Sequence, residues 1–93
     1  MISVHVRYFG ILAGYTGKKH ETLRLPKDMS GHQLMLRLAS TYGEPFRGTV
    51  LNGEGLSDHL RIFRNEQSLH GEGLRAPLED EDHIMLFPAV AGG

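Results

Sequence analysis

The side chains with the widest chemical range in this chain are six histidines, His5, His20, His32, His59, His70 and His83. Imidazole is the commonest metal ligand and titrates near neutrality. None of the six is paired at i, i+2 or i, i+4, and each falls in a different predicted element. Scattered surface histidines are therefore expected, and no metal site. Glu79-Asp80-Glu81-Asp82 offers oxygen ligands but lacks the alternating ligands and the glycine of a calcium loop. It reads as a solvated turn ahead of a strand. Gly71-Glu72-Gly73-Leu74-Arg75-Ala76 matches G-x-G-x-x-A, a pattern that must open a helix to hold a dinucleotide, and Pro77 with the acidic turn forbids one. Gly53-Glu54-Gly55-Leu56 echoes its first four residues, and both are read as turns. No nucleophile elbow and no Walker loop is present. The chain has no cysteine. That removes thiolate zinc sites, iron–sulfur ligation, disulfides and cysteine nucleophiles together.

The remaining chemistry is at Ala91-Gly92-Gly93, directly after the most apolar segment. Glycine adds nothing to a core and loses the most backbone entropy on ordering. Its advantage is slimness: without Cβ a tail can enter a narrow channel and present a terminal carboxylate. A carboxylate is a poor electrophile until activated, for example as an adenylate, after which a nucleophile can take the acyl carbon. A frayed terminus is the competing reading.

Several elements must position such a tail. Ile2, Val4 and Val6 alternate with Ser3, His5 and Arg7, the period of a half-buried strand, and Tyr8 and Phe9 extend it. Gly10, Gly14 and Gly17 punctuate the next stretch, and Thr16-Gly17-Lys18-Lys19 reads as a turn. His20 to Leu25 alternates again, so the chain opens with a hairpin. Ser30-Gly31-His32-Gln33 has the spacing of a capping box. Leu34, Leu38 and Tyr42 then form one face of a helix, and Gly43 stands at its C-terminal cap. Glu44 to Asp58 reads as irregular. Leu60 to Arg64 is a third strand, Leu74 to Leu78 a short edge strand interrupted by Pro77, and His83 to Phe87 a strongly apolar fifth. The order β-β-α-β-β-β around one main helix argues for an α+β domain. Periodicity does not decide the strand order.

Ninety-three residues suit one domain. Ten Lys/Arg balance eleven Asp/Glu, and no basic stripe supports nucleic-acid binding. No signal peptide is visible at the start, and no run approaches the about 18 apolar residues of a membrane span. A cytoplasmic protein without nucleic-acid or membrane partners is expected.

The segment Asp80-Glu81-Asp82-His83-Ile84-Met85-Leu86-Phe87-Pro88-Ala89-Val90-Ala91-Gly92-Gly93 resembles the close of the ubiquitin-like sulfur carriers. That family includes the molybdopterin synthase small subunit MoaD, the thiamin-pathway carrier ThiS and the cysteine-pathway carrier CysO. Val6-Arg7-Tyr8-Phe9-Gly10-Ile11-Leu12 with Thr16-Gly17-Lys18 resembles its first strand and turn. Ile62-Phe63-Arg64-Asn65-Glu66 resembles its middle strand. Glu66 and Glu81 stand where turn glycines are common in the family. The long Glu44 to Leu60 stretch is similar to the branch holding the cysteine-pathway and archaeal carriers.

The resemblance implies a β-grasp fold: residues 1–87 as a mixed sheet of four or five strands around the helix, and residues 88–93 as a flexible tail. It implies a protein cosubstrate rather than an enzyme, with no stably bound cofactor. An E1-like adenylating partner would use ATP on Gly93, beside Gly92, and sulfur transfer would give a thiocarboxylate. The acceptor would be an enzyme such as the molybdopterin synthase large subunit. Cysteine or thiamin synthesis, isopeptide modification of proteins, and an interaction module with a silent tail stay open. If Ile84 and Leu86 pack on the helix, Met85 and Phe87 face outward with Phe63 beside them; the opposite register would make them core. In the first register Phe63, Met85 and Phe87 form a partner dock, with Pro88, Val90 and Ala91 leading the tail onward.

Overall fold

Alternation in the first 25 residues produces the expected hairpin. Strand β1 (Ile2–Tyr8) pairs antiparallel with β2 (His20–Leu25), Val4 opposite Leu23. The computed structural model describes residues 1–89. The connection is more regular than its glycines suggest. A short helix α1 (Ile11–Thr16) buries Leu12, and Gly17, left-handed at φ 78°, donates its N–H to Ala13 O. Gly17 therefore ends a helix as well as serving the turn before β2.

Helix α2 (Gly31–Tyr42) carries both halves of its capping box. The Gln33 amide donates to Ser30 Oγ at 3.1 Å, and the Ser30 amide donates to Gln33 Oε1 at 2.9 Å. Its buried face is Leu34, Met35, Leu38 and Ala39. The Glu44 to Asp58 stretch, expected to be irregular, holds helix α3 (Phe46–Val50) and a small hairpin of β3 (Leu51–Asn52) and β4 (Gly55–Leu56). Phe46 and Val50 are fully buried there. Tertiary burial stabilises this one-turn helix, which is too short to be stable alone.

Strand β5 (Leu60–Arg64) turns at Asn65-Glu66 into β6 (Gln67–Ser68), and β7 (Asp82–Pro88) closes the sheet. The sheet order is β2-β1-β7-β5-β6, with β7 parallel to β1 and antiparallel to β5. The strand expected at Leu74 to Leu78 is not formed. Gly71–Arg75 is a 3-10 turn, and only an isolated bridge joins Pro77 to Ser30. Proline has no N–H to donate to a ladder. The segment is held instead by the Leu78 amide on Met29 O at 2.8 Å and by Leu69 and Leu74 packing on the core near Gly31.

One sheet face and α2 enclose the core. Val4, Val6, Tyr8, Ile62, Ile84 and Leu86 supply the sheet side. This is the α+β β-grasp arrangement, a mixed five-stranded sheet around one main helix. No helix among the described residues is long and apolar enough to cross a membrane.

Candidate functional site

The apolar stretch of β7 divides by alternation. Ile84 and Leu86 are buried against the helix layer, while Met85 and Phe87 lie half-buried on the opposite, outer face. Ile62 and Phe63 of β5 divide the same way. Phe63 lies directly across from Met85. The Phe63 and Phe87 rings meet edge to face, 5.5 Å between centroids at 86°. Phe9, next in the chain after β1, stacks on the other side of Phe87 at 4.2 Å and 12°. The Arg7 guanidinium caps that stack, 5.3 Å from the Phe9 centroid.

Phe9 and Arg7 join the site without having been expected there. Their signal is nonetheless in the sequence: Ser3, His5, Arg7 and Phe9 continue one period-two row, and the parallel pairing of β1 with β7 sets that row beside Met85 and Phe87. Backbone bonds extend beyond the strands here. The Phe9 amide donates to Leu86 O at 3.0 Å, and the Ala89 amide donates to His59 O at 2.7 Å. Leu60 faces Pro88 across the ladder. The aromatic row thus leads to the point where the chain leaves the sheet. Val90, Ala91, Gly92 and Gly93 lie outside the described residues.

At the other end of β7 the acidic turn departs from expectation. Asp82 is buried, and its carboxylate accepts from Arg64 Nε, Asn65 Nδ2 and the Glu79 amide, each at 2.8 Å. Asn65 Oδ1 in turn accepts from the His83 amide at 2.9 Å. Only Glu79, Asp80 and Glu81 remain solvated. A buried carboxylate requires such partners, and together they lock the register of β7 against β5.

The histidines are less scattered than their spacing suggested. His5 and His83 face each other across β1 and β7 with stacked rings 4.8 Å apart. His5 Nε2 lies 3.1 Å from Glu81 Oε1, and Nδ1 lies 2.9 Å from Thr22 Oγ1. No group of three candidate metal ligands occurs among the described residues.

A second polar cluster sits on the core side, where Glu21 accepts hydrogen bonds from the hydroxyls of Tyr8 and Tyr42 and pairs with Lys18 at 3.4 Å. Burial pushes the Glu21 carboxyl up, but the hydrogen bonds from Tyr42 and Tyr8, with Lys18, outweigh it and hold it below its ordinary value. Burial, reinforced by Glu21, raises both tyrosines. The cluster has the marks of a structural tie, since its carboxylate is fully engaged by side chains of the same fold. The outer face, lined by phenylalanine, methionine and arginine, suits binding rather than bond-making.

The model of the ThiS family matches residues 6–93. Small archaeal modifier protein 3 of Haloferax volcanii is 24% identical over 93 residues, covering 99% of this chain and all (100%) of that one. The solution structure of small archaeal modifier protein 1 from Methanosarcina acetivorans is 27% identical with a TM-score of 0.79, over 100% of this chain and 98% of that one. A putative molybdopterin converting factor subunit 1 from Pyrococcus furiosus shares the fold at a TM-score of 0.75 and 21% identity, covering 97% of this chain and 100% of that one. With residues 6–93 inside the family model and the β-grasp sheet in place, the chain belongs to the ThiS family of small ubiquitin-like sulfur carriers and modifiers.

Proposed function

We propose that the chain is a cytoplasmic sulfur carrier whose Gly93 becomes a thiocarboxylate. The observation that carries this reading is the family match reaching residue 93, which puts Gly92 and Gly93 inside the matched segment. A Gly93 carboxylate oxygen would attack the α-phosphorus of ATP, held by an E1-like partner, and release pyrophosphate. Hydrosulfide would then attack the acyl carbon, expel AMP and lose its proton, leaving the thiocarboxylate. The softer thiocarboxylate sulfur would be delivered to a biosynthetic acceptor. Among acceptors we favour the large subunit of a molybdopterin synthase, a choice supported by the name of the Pyrococcus furiosus relative. Cysteine and thiamin synthesis are the alternative destinations.

In this reading Phe63, Met85 and Phe87, joined by Phe9 and Arg7, dock the partner, and Pro88, Val90 and Ala91 guide the tail. Support comes from position: the half-buried aromatic row ends at the root of the tail. Exposed apolar patches commonly mark binding surfaces.

A second reading is favoured by the Haloferax volcanii and Methanosarcina acetivorans relatives, both named as modifiers. There a lysine amine, rather than sulfur, takes the activated acyl carbon and forms an isopeptide bond. Incubation with ATP, the E1-like enzyme of the same genome and a sulfur source tests the first reading. Thiocarboxylate formation that disappears when Gly93 is deleted, with unchanged melting, is the expected result. Thiocarboxylate formation by the deletion variant would refute it.

A further inference from the structure

Gly10 lies between Phe9 and α1, with φ 57° and ψ -136°, a backbone region almost confined to glycine. A Cβ at this position would lie 3.0 Å from Pro88 Cγ and 3.5 Å from its Cδ. Pro88 ends β7, and the next amide, Ala89, is bonded to His59 O at 2.7 Å. The root of the tail is thus held from two sides, by the bare face of Gly10 beside β1 and by the His59 carbonyl beside β5. Val90 to Gly93 separate that root from the reacting carboxyl, and four extended residues reach at most about 14 Å. With so short a reach, a shifted root leaves no slack between a partner seated on the aromatic row and the carboxyl it must activate.

We propose that Gly10 is a positioning residue for the reaction at Gly93, its missing Cβ letting Pro88 seat and so fixing where the last residues leave the sheet. This rests on the reading that Gly93 is adenylated. The backbone angle alone would also demand glycine, and the chain contains a matched control. Gly43, at the end of α2, has φ 64° and ψ -157°, and a Cβ there meets nothing within 4 Å.

The test compares Gly10→Ala with Gly43→Ala in the full chain. Both should lower the melting temperature through the backbone strain common to both, and Gly10→Ala somewhat further, because its Cβ also meets the Pro88 ring. Only Gly10→Ala should speed hydrogen exchange of the Ala89 amide, by about tenfold, as its bond to His59 opens. Only Gly10→Ala should lower kcat for ATP–pyrophosphate exchange with the E1-like enzyme of the same genome, again by about tenfold. KM should hold, since the aromatic row is intact. Adding Pro88→Ala removes the colliding ring and should restore part of the lost kcat. Pro88→Gly, which loosens the root without strain at residue 10, should reproduce the Gly10→Ala pattern and serves if that variant does not fold. Equal kcat for wild type, Gly10→Ala and Pro88→Gly overturns the proposal, as does equal kcat for the two alanine variants. If the wild-type chain supports no exchange at all, the adenylation reading itself has failed and the proposal falls with it.

Discussion

Tyr8 and Phe9 are neighbours in sequence and belong to two different aromatic clusters. Tyr8 points inward, edge to face with Phe46 and Tyr42 at 6.0 and 6.1 Å, and its hydroxyl is tied to Glu21. Phe9 lies on the other face, in the row with Phe87 and Phe63. In the inner cluster Tyr8 and Phe46 are buried, Tyr42 is half-buried, and both tyrosine hydroxyls bond to Glu21; the outer one is made of half-buried rings without polar handles. Buried tyrosine usually finds a hydrogen-bond partner, whereas half-buried aromatic rings in a contiguous row gain from a second surface. Two consecutive residues at the end of β1 thus divide between holding the fold and, in our reading, meeting a partner.

The largest effect that would break this division is on the inner side. Phe46→Ala should cost about 3–5 kcal/mol in chemical denaturation, because Phe46 is fully buried and its loss leaves a cavity. Glu21→Ala should cost about 1–3 kcal/mol, the penalty of leaving the Tyr8 and Tyr42 hydroxyls without their acceptor. The same cluster sets a pH signature. The Glu21 carboxyl is held below its ordinary value, so its stabilisation is present above the unfolded carboxylate range and lost as pH falls through the folded one. Tyr8 and Tyr42 are raised, so theirs is present below the ordinary tyrosine value of 10.0 and lost as pH rises beyond it. Melting temperatures across pH should fall at both ends, and Glu21→Gln should flatten the acid limb. An unchanged acid limb would assign that loss to other carboxylates.

Much of this arrangement is legible in the sequence because its signals are local. The capping box, the helical stripe to Tyr42 and the alternation in four strands each lie within a dozen residues. The features that escape a sequence reading depend on partners distant in the chain. Asp82 is buried only because Arg64 and Asn65 reach it from the end of β5. His5 and His83 meet only because β1 and β7 are parallel neighbours, and the same pairing brings Phe9 to Phe87. Helices α1 and α3 are too short for periodicity to register. The edge strand expected at Leu74 does not form because the missing N–H of Pro77 outweighs the apolar spacing around it.

A smaller effect on folding sharpens the contrast from the outside. Phe63→Ala should lower stability by about 0.5–1.5 kcal/mol, the worth of one lost aromatic pair, while weakening calorimetric binding to the activating enzyme by a larger free energy. A loss as large as that of Phe46→Ala would make the outer row part of the core in energetic terms.

Whether Gly93 carries sulfur is read from the intact mass of the protein purified from its native host. A species in which one oxygen is replaced by sulfur is expected, absent from the Gly93 deletion variant. Only conjugates joined through Gly93 to lysines of other proteins, with no thiocarboxylate under sulfur-replete growth, would contradict it and establish the modifier reading instead.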